Sequence, residues 1–404
     1  MKLFLFIGDG IGDLPIKSKQ HKTPLELAST PAMDSIARDG ASGLFLPFSH
    51  GTIPRGASVI LSMLGIDPNK VKRGPLEAIG AGIELMPGDV ALLGRFVHLD
   101  EDGRVEDIIL ERDIEEGAEL AAELDEYHPT SAPGTVVRVK YTSANKVAIV
   151  IKGEDLSPNV SDIKAIPGLP IEMARPLDGS PRTIKTMRII NECVSAFPDI
   201  LNESFVNQKR VENGKKQINF VTMESAGTIP QVEDITRKYD ITGAIIAGDR
   251  TIRGVFGIAG FEIEEVEGAT GTINTNTENK IKKALESKAE FVVIHYKAPI
   301  IASMEGDLEL KIKTIEQFDN IIKTIMDNYK EAAYAVLVQR NVSVERKQHL
   351  GLFTPFAVRS VYIPPDCVKS FSEKAAADGL FHIVRGQELL HLLLYAMGRP
   401  TERI

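Results

Sequence analysis

The sequence predicts an α/β protein built on a doubly wound, mostly parallel sheet, with a smaller α+β domain inserted into it. Two observations carry that expectation. Residues 2–7 are a largely apolar run cut off by Gly8-Asp9-Gly10, the pattern of a strand buried on both faces of a parallel sheet, and similar runs return at 244–247, 291–295, 333–338 and 357–363. Helical patterns separate these runs. Thr30-Pro31 opens one with proline in the first turn, 231–239 reads as another, and 276–287 and 307–328 carry apolar residues at spacings of three and four. A leucine-rich helix is expected at 387–397, with Asp307 as the N-cap of the helix at 307–328. Between 111 and 183 the texture changes to a charged helix (113–126) and two short strands (136–141 and 147–152) joined by a polar turn, Thr142-Ser143-Ala144-Asn145. Residues 111–183 are therefore expected to form the inserted lobe, and 1–110 with 184–404 the core. Pro167, Pro170, Pro176 and Pro181 mark the way back into the core.

The composition narrows the class of function. A chain of 404 residues has room for two or three domains at about 150 residues each, and 43% hydrophobic with 25% charged residues is ordinary for a globular protein. The formal charge is −9, no Trp is present, and the basic residues are interspersed, so nucleic acid and anionic membrane are poor partners. Two distant cysteines, Cys193 and Cys367, fit a reducing cytoplasm and leave no cysteine-based metal site. The apolar opening run is too short to span a bilayer.

Few motifs announce chemistry by themselves. The turn Gly8-Asp9-Gly10-Ile11-Gly12-Asp13 is a weak dinucleotide fingerprint, because Pro15 disturbs the helix that should follow. Read otherwise, it places the Asp9 carboxylate at the C-terminal end of a parallel strand, where α/β sheets bind ligands, or it is simply a turn. Gly268-Ala269-Thr270-Gly271-Thr272 lacks the Gly-Lys-Ser/Thr ending of a phosphate loop. The eight histidines show no paired ligand spacing, and His391, in an apolar helix, reads as a packing residue.

A series of segments, in order and over the whole chain, carries a resemblance. It includes Phe6-Ile7-Gly8-Asp9-Gly10-Ile11-Gly12-Asp13, Thr30-Pro31-Ala32-Met33-Asp34, Arg73-Gly74-Pro75-Leu76-Glu77-Ala78, Glu267-Gly268-Ala269-Thr270-Gly271 and His295-Tyr296-Lys297. The chain resembles the archaeal-type, cofactor-independent phosphoglycerate mutases of the alkaline phosphatase superfamily. The resemblance implies the alkaline phosphatase type of sheet and a glycolytic reaction. In it, phosphate moves between the 2- and 3-positions of glycerate through a phosphoserine, with two divalent metals, manganese or magnesium.

The same resemblance implies which residues fill the family's functional positions. Counting back from Gly65, the nucleophile position falls on Gly56. Counting from Lys297, an Asp and a His ligand fall on Ile300 and Met304, and counting back from His349, an Asp-His pair falls on Gln339 and Arg340. Asp9 and His349 alone keep metal-binding chemistry, so metal is expected to be absent or weakly held. Of the groups that would hold substrate, an arginine-rich segment falls on Glu111–Glu116, a His-Arg pair on Asn145-Lys146, and an Arg on Glu224. Arg73, Arg112, Arg253 and Lys297 remain as anion contacts or as structural salt bridges. Ser58, or Ser62, serves as nucleophile only if an insertion breaks the count.

Two readings follow. In one, the chain is a mutase homologue silent by the family mechanism and kept to bind a small phosphorylated ligand, an active paralogue or a second copy of itself. In the other, it is an active mutase or phosphatase with an unrecognised nucleophile. The losses gather at metal and phosphate positions while the glycine turns and helix patterns persist, which favours the first.

Overall fold

The structure is a computed structural model that describes residues 1–109 and 116–401. The chain divides into two compact units, Met1–Pro68 with Val232–Ile404, and Asn69–Gln231. The first unit opens with β1 (Leu3–Gly8) and β2 (Ala41–Leu46). The second holds β3 (Val90–Leu99), β4 (Val105–Ile108), β5 (Val136–Ser143), β6 (Lys146–Lys152), β7 (Phe220–Val221) and β8 (Glu224–Gly227). The chain then returns to the first unit for β9 (Gly243–Ile246), β10 (Glu262–Ile263), β11 (Phe291–Tyr296), β12 (Ala333–Val338), β13 (Asn341–Ser343), β14 (Gln348–Leu350), β15 (Thr354–Arg359) and β16 (Ile383–Arg385).

In the first unit an eight-stranded sheet has the order β10-β9-β11-β1-β12-β15-β2-β16. Only β15 runs against the others, pairing antiparallel with both β12 and β2. Every residue of β1, β11 and β12 is buried, as the continuous apolar runs require of strands covered on both faces. Phe4 and Phe6 pack with Ile315, Phe318 and Ile322 of the helix Leu308–Asn328, while Leu3, Leu5 and Ile7, which alternate with them, are equally buried. The Asp307 carboxylate accepts the Leu310 N–H at 2.9 Å and starts that helix. The expected helix at 231–239 shrinks to one turn, Ile235–Lys238, capped by Asp234. The run at 357–363 becomes a strand three residues earlier, because Ser360 and Ile363 bridge to each other and turn the chain out of the sheet.

The second unit is an antiparallel sheet, β4-β3-β6-β5, with β7 and β8 also on β3. It is larger than the lobe read at 111–183. The apolar strand β3 looks like core sequence, yet it pairs with β6 from Val90 opposite Ile151 to Arg95 opposite Lys146. The long helix Pro181–Glu203, nearly all of which lies in the 184–404 stretch read as core, buries Ile189, Ile190, Cys193 and Phe197 in the same apolar cluster. The hairpin β5–β6 forms as its polar turn implies. The charged helix is Gly117–Leu124. Among the described residues no helix is long and apolar enough to cross a membrane.

Candidate functional site

In a parallel sheet the C-terminal strand ends gather side chains at one edge. In the first unit that edge receives Asp9 after β1, His295 from β11 with Lys297 beyond it, Gln339 and Arg340 after β12, and Asp249 after β9. The main chain fixes this register: Asp9 N–H donates to the Tyr296 carbonyl and Gln339 N–H to the Gly8 carbonyl, both at 2.9 Å. Gly10 makes the crossing possible. It has φ of 78°, and a Cβ there would lie 2.4 Å from the Cα of Ile300.

The centre of the cluster is an ion pair. Arg340 Nε and Nη2 donate to the two oxygens of Asp9, the first at 2.8 Å, in the forked geometry that guanidinium and carboxylate favour. Asp9 is 2% exposed and Arg340 8%. Burial by itself would raise the Asp9 carboxyl, but the charge and hydrogen bonds of Arg340 overcome it and hold it below the usual carboxylate range. Burial likewise opposes the Arg340 charge, and Asp9 more than offsets it.

A second chain of contacts ties the helix Gly56–Met63 to the sheet. Gln339 Nε2 donates to the Gly56 carbonyl at 2.7 Å, and its Oε1 lies 2.9 Å from His295 Nε2. With the amide nitrogen committed to Gly56, its oxygen accepts from His295 Nε2–H, leaving His295 Nδ1 as a buried acceptor with no partner. Burial lowers the His295 pKa, which suits this neutral ring. Lys297 Nζ is 3.2 Å from Asp249, and Lys280 donates to the His295 carbonyl at 3.2 Å. Burial pulls the Lys280 ammonium down to about 8, against the opposing charge of Asp249.

The structure distributes the sequence-derived candidates unevenly. It brings Asp9, Gly56, Gln339 and Arg340 into contact, and a Cβ on Gly56 would meet Arg340 Nη1 at 3.2 Å. His349, on β14 opposite Val342, is half-buried; burial and then the Arg340 charge lower its pKa. Ile300 packs against Gly10, whereas Met304 is 44% exposed. Arg253 is buried and ion-paired with Glu265, the structural reading of that residue. The hydroxyls of Ser58 and Ser62 donate to the carbonyls of Arg55 and Pro47. In the second unit Arg73 is exposed at the start of the helix Arg73–Gly80, Glu224 is 3.4 Å from Arg95, and Asn145 donates to the Ile109 carbonyl. Arg112 lies outside the described residues.

Sequence reading missed three groups. Lys280 sits in an amphipathic helix where lysine usually marks the wet face, so its burial left no signal. The His295–Gln339 link joins residues 44 apart in sequence. Asp13 and Lys311 form a buried pair at 2.8 Å that needs the folded chain to appear.

The comparisons with known proteins give this geometry its ancestry. A family model described as 2,3-bisphosphoglycerate-independent phosphoglycerate mutase matches residues 37–207. Proteins of that name are similar over the full chain: one from Ignicoccus hospitalis is 36% identical, covering 100% of this chain and 99% of its own, and one from Methanothermobacter thermautotrophicus is 32% identical with the same coverage. The chain belongs to the cofactor-independent phosphoglycerate mutase family. Its fold is that of solved relatives: a protein from Pyrococcus horikoshii (TM-score 0.81, 27% identity, 100% and 98% coverage) and the cofactor-independent phosphoglycerate mutase of Thermoplasma acidophilum (0.67, 28%, 98% and 100%).

Membership in this mutase family implies divalent metals, and the residues at the sheet edge do not suit them. Both oxygens of Asp9 are bonded to a guanidinium, whose fixed positive charge would repel a second cation. Ile300 offers no donor, and Gln339 spends both ends of its amide on protein partners. Among the described residues no group of three or more His, Cys, Asp or Glu side chains is placed to hold a metal.

Proposed function

We propose that this member of the mutase family does not run the phosphoserine reaction and is retained as a cytoplasmic binding protein. One observation carries the reading: the Arg340 guanidinium is bonded to Asp9 beside Gly56. The family chemistry needs a hydroxyl nucleophile and metals to neutralise the transferring phosphoryl group. Position 56 offers no side chain, and the one acidic ligand position that keeps its carboxylate already has a cation. The Ser58 and Ser62 hydroxyls, turned onto their own main chain, do not supply a replacement.

The test is an assay of 2- and 3-phosphoglycerate interconversion by the purified full chain with manganese or magnesium. The expected result is no turnover above background. Rates on the order of 1 to 1000 per second, normal for enzymes, overturn the reading. If such rates persist with Ser58 and Ser62 both replaced by Ala, an unrecognised nucleophile is at work.

A further inference from the structure

A groove of about 1170 Å³ opens in the first unit beside the helix Glu388–Ala396. That volume is on the scale of a small-molecule site and too large for a packing void. One end is made by Tyr239 and Asp240, which precede β9, and by Arg399, whose Nη2 donates to Glu290 at 2.8 Å just before β11. Asp249 and His295 lie at the other ends of those two strands. The groove therefore reaches the N-terminal edge of the sheet, and it shares no residue with the Asp9 cluster.

The helix turns its leucines inward: Leu389, Leu390, Leu393 and Leu394 are buried, while His391 stays half-buried on the groove side. Expected to serve packing, His391 instead faces a phenol. Tyr239 Oη lies 3.3 Å from its Nε2, and the two rings stand 6.3 Å apart, inclined at 73°. Together they form a corner with apolar faces and polar tips.

The charges along the groove are unevenly matched. Arg385 is exposed, and its guanidinium makes no hydrogen bond or ion pair among the described residues. Lys238 and Arg399 have carboxylates of their own, Glu233 and Glu290. Of the carboxylates on the rim, Glu388 turns Oε2 onto the Arg385 N–H at 2.7 Å, and the fully exposed Asp240 is 4.0 Å from Arg399. Arg385 is thus left as the cation available to an anion from outside.

We propose that the groove binds a small aromatic anion of the nucleoside monophosphate class, with its ring against Tyr239 and His391 and its phosphate on Arg385. The two side chains cover the faces of a planar ring, and the guanidinium offers a phosphate its fork of donors. A bare phosphate would leave most of the volume and both rings unused. No covalent step is involved, and nothing at Asp9 takes part, so the site stands whether or not the mutase reaction runs.

Isothermal titration of the full chain with adenosine monophosphate tests the site, with adenosine and inorganic phosphate as separate titrants. Saturable binding of the monophosphate is expected, with each of the other two about tenfold weaker or more, because each carries only part of the recognition. Arg385→Gln, a change on an exposed side chain, is expected to weaken the monophosphate about tenfold and to leave adenosine unchanged. Tyr239→Leu is expected to weaken both, which supplies the readout if Arg385→Gln fails to fold by circular dichroism. The inference is overturned if adenosine monophosphate does not bind, if phosphate or adenosine binds as tightly, or if a folded variant binds it as the parent does. Binding at the Asp9 cluster would show as the last of these.

Discussion

A Cβ placed on Gly56 would stand 3.2 Å from Arg340 Nη1 and 3.4 Å from the central carbon of its guanidinium. Positions 56 and 340 are therefore coupled, and reinstating a hydroxyl alone does not rebuild a nucleophile. Gly56→Ser places its side chain against a cation already bonded to Asp9, with no metal to activate it. The variant is expected to fold, to show no interconversion of phosphoglycerates with manganese, and to gain no phosphate by intact mass after incubation with substrate. A phosphate adduct mapped to position 56 of the Gly56→Ser variant would refute this coupling.

The Asp9–Arg340 pair also bears on stability. Removing one partner of a buried pair strands the other charge, which costs roughly 3–5 kcal/mol, whereas removing both costs less. Arg340→Met is expected to lower the urea-unfolding free energy by about that amount, and Asp9→Asn with Arg340→Met to recover part of it. If Arg340→Met instead costs less than about 1 kcal/mol, Asp9 finds solvent or another partner and the pair is not the anchor argued here.

Much of the sheet was legible because β1, β11 and β12 are continuous apolar runs, a signal that depends only on local sequence. The resemblance brought Asp9, Gly56, Gln339 and Arg340 to attention, but composition and spacing could not show that they touch. Asp9 and Arg340 lie 331 residues apart, and their contact follows from β1 and β12 being neighbours in the sheet. The extent of the second unit was illegible for a related reason: β3 is apolar enough to pass for a core strand, and its allegiance is decided by pairing with β6.

That allegiance can be measured. The larger apolar cluster of the second unit draws on residues 90–226, with β3 at its centre, and a smaller one adds Ala78, Ala81 and Leu85. A fragment of residues 69–231 is expected to unfold cooperatively with a heat-capacity change suited to its size, about 12–15 cal/mol/K per residue. A fragment of 111–183 lacks β3 and the helix Pro181–Glu203 and should remain unfolded by circular dichroism. A cooperatively folded 111–183 would return the boundary to the position first read from the sequence.

Lys280 gives a pH signature that no surface lysine would. It is 1% exposed, its Nζ lies 5.8 Å from the centre of the Tyr296 ring, and burial lowers its pKa from 10.5 to about 8. Between those values the unfolded chain holds a proton on Lys280 that the folded chain has released. Stability therefore rises with pH across that window, and below about 8 the folded protein carries the full cost of a buried ammonium. The size is set by the shift, up to roughly 3 kcal/mol. Lys280→Met removes the titrating group and keeps most of the apolar stem. Urea unfolding at pH 7.5 and pH 10 is expected to show the parent gaining stability relative to Lys280→Met as the pH rises. Parallel behaviour of the two proteins would mean that Lys280 stays solvated in the folded state.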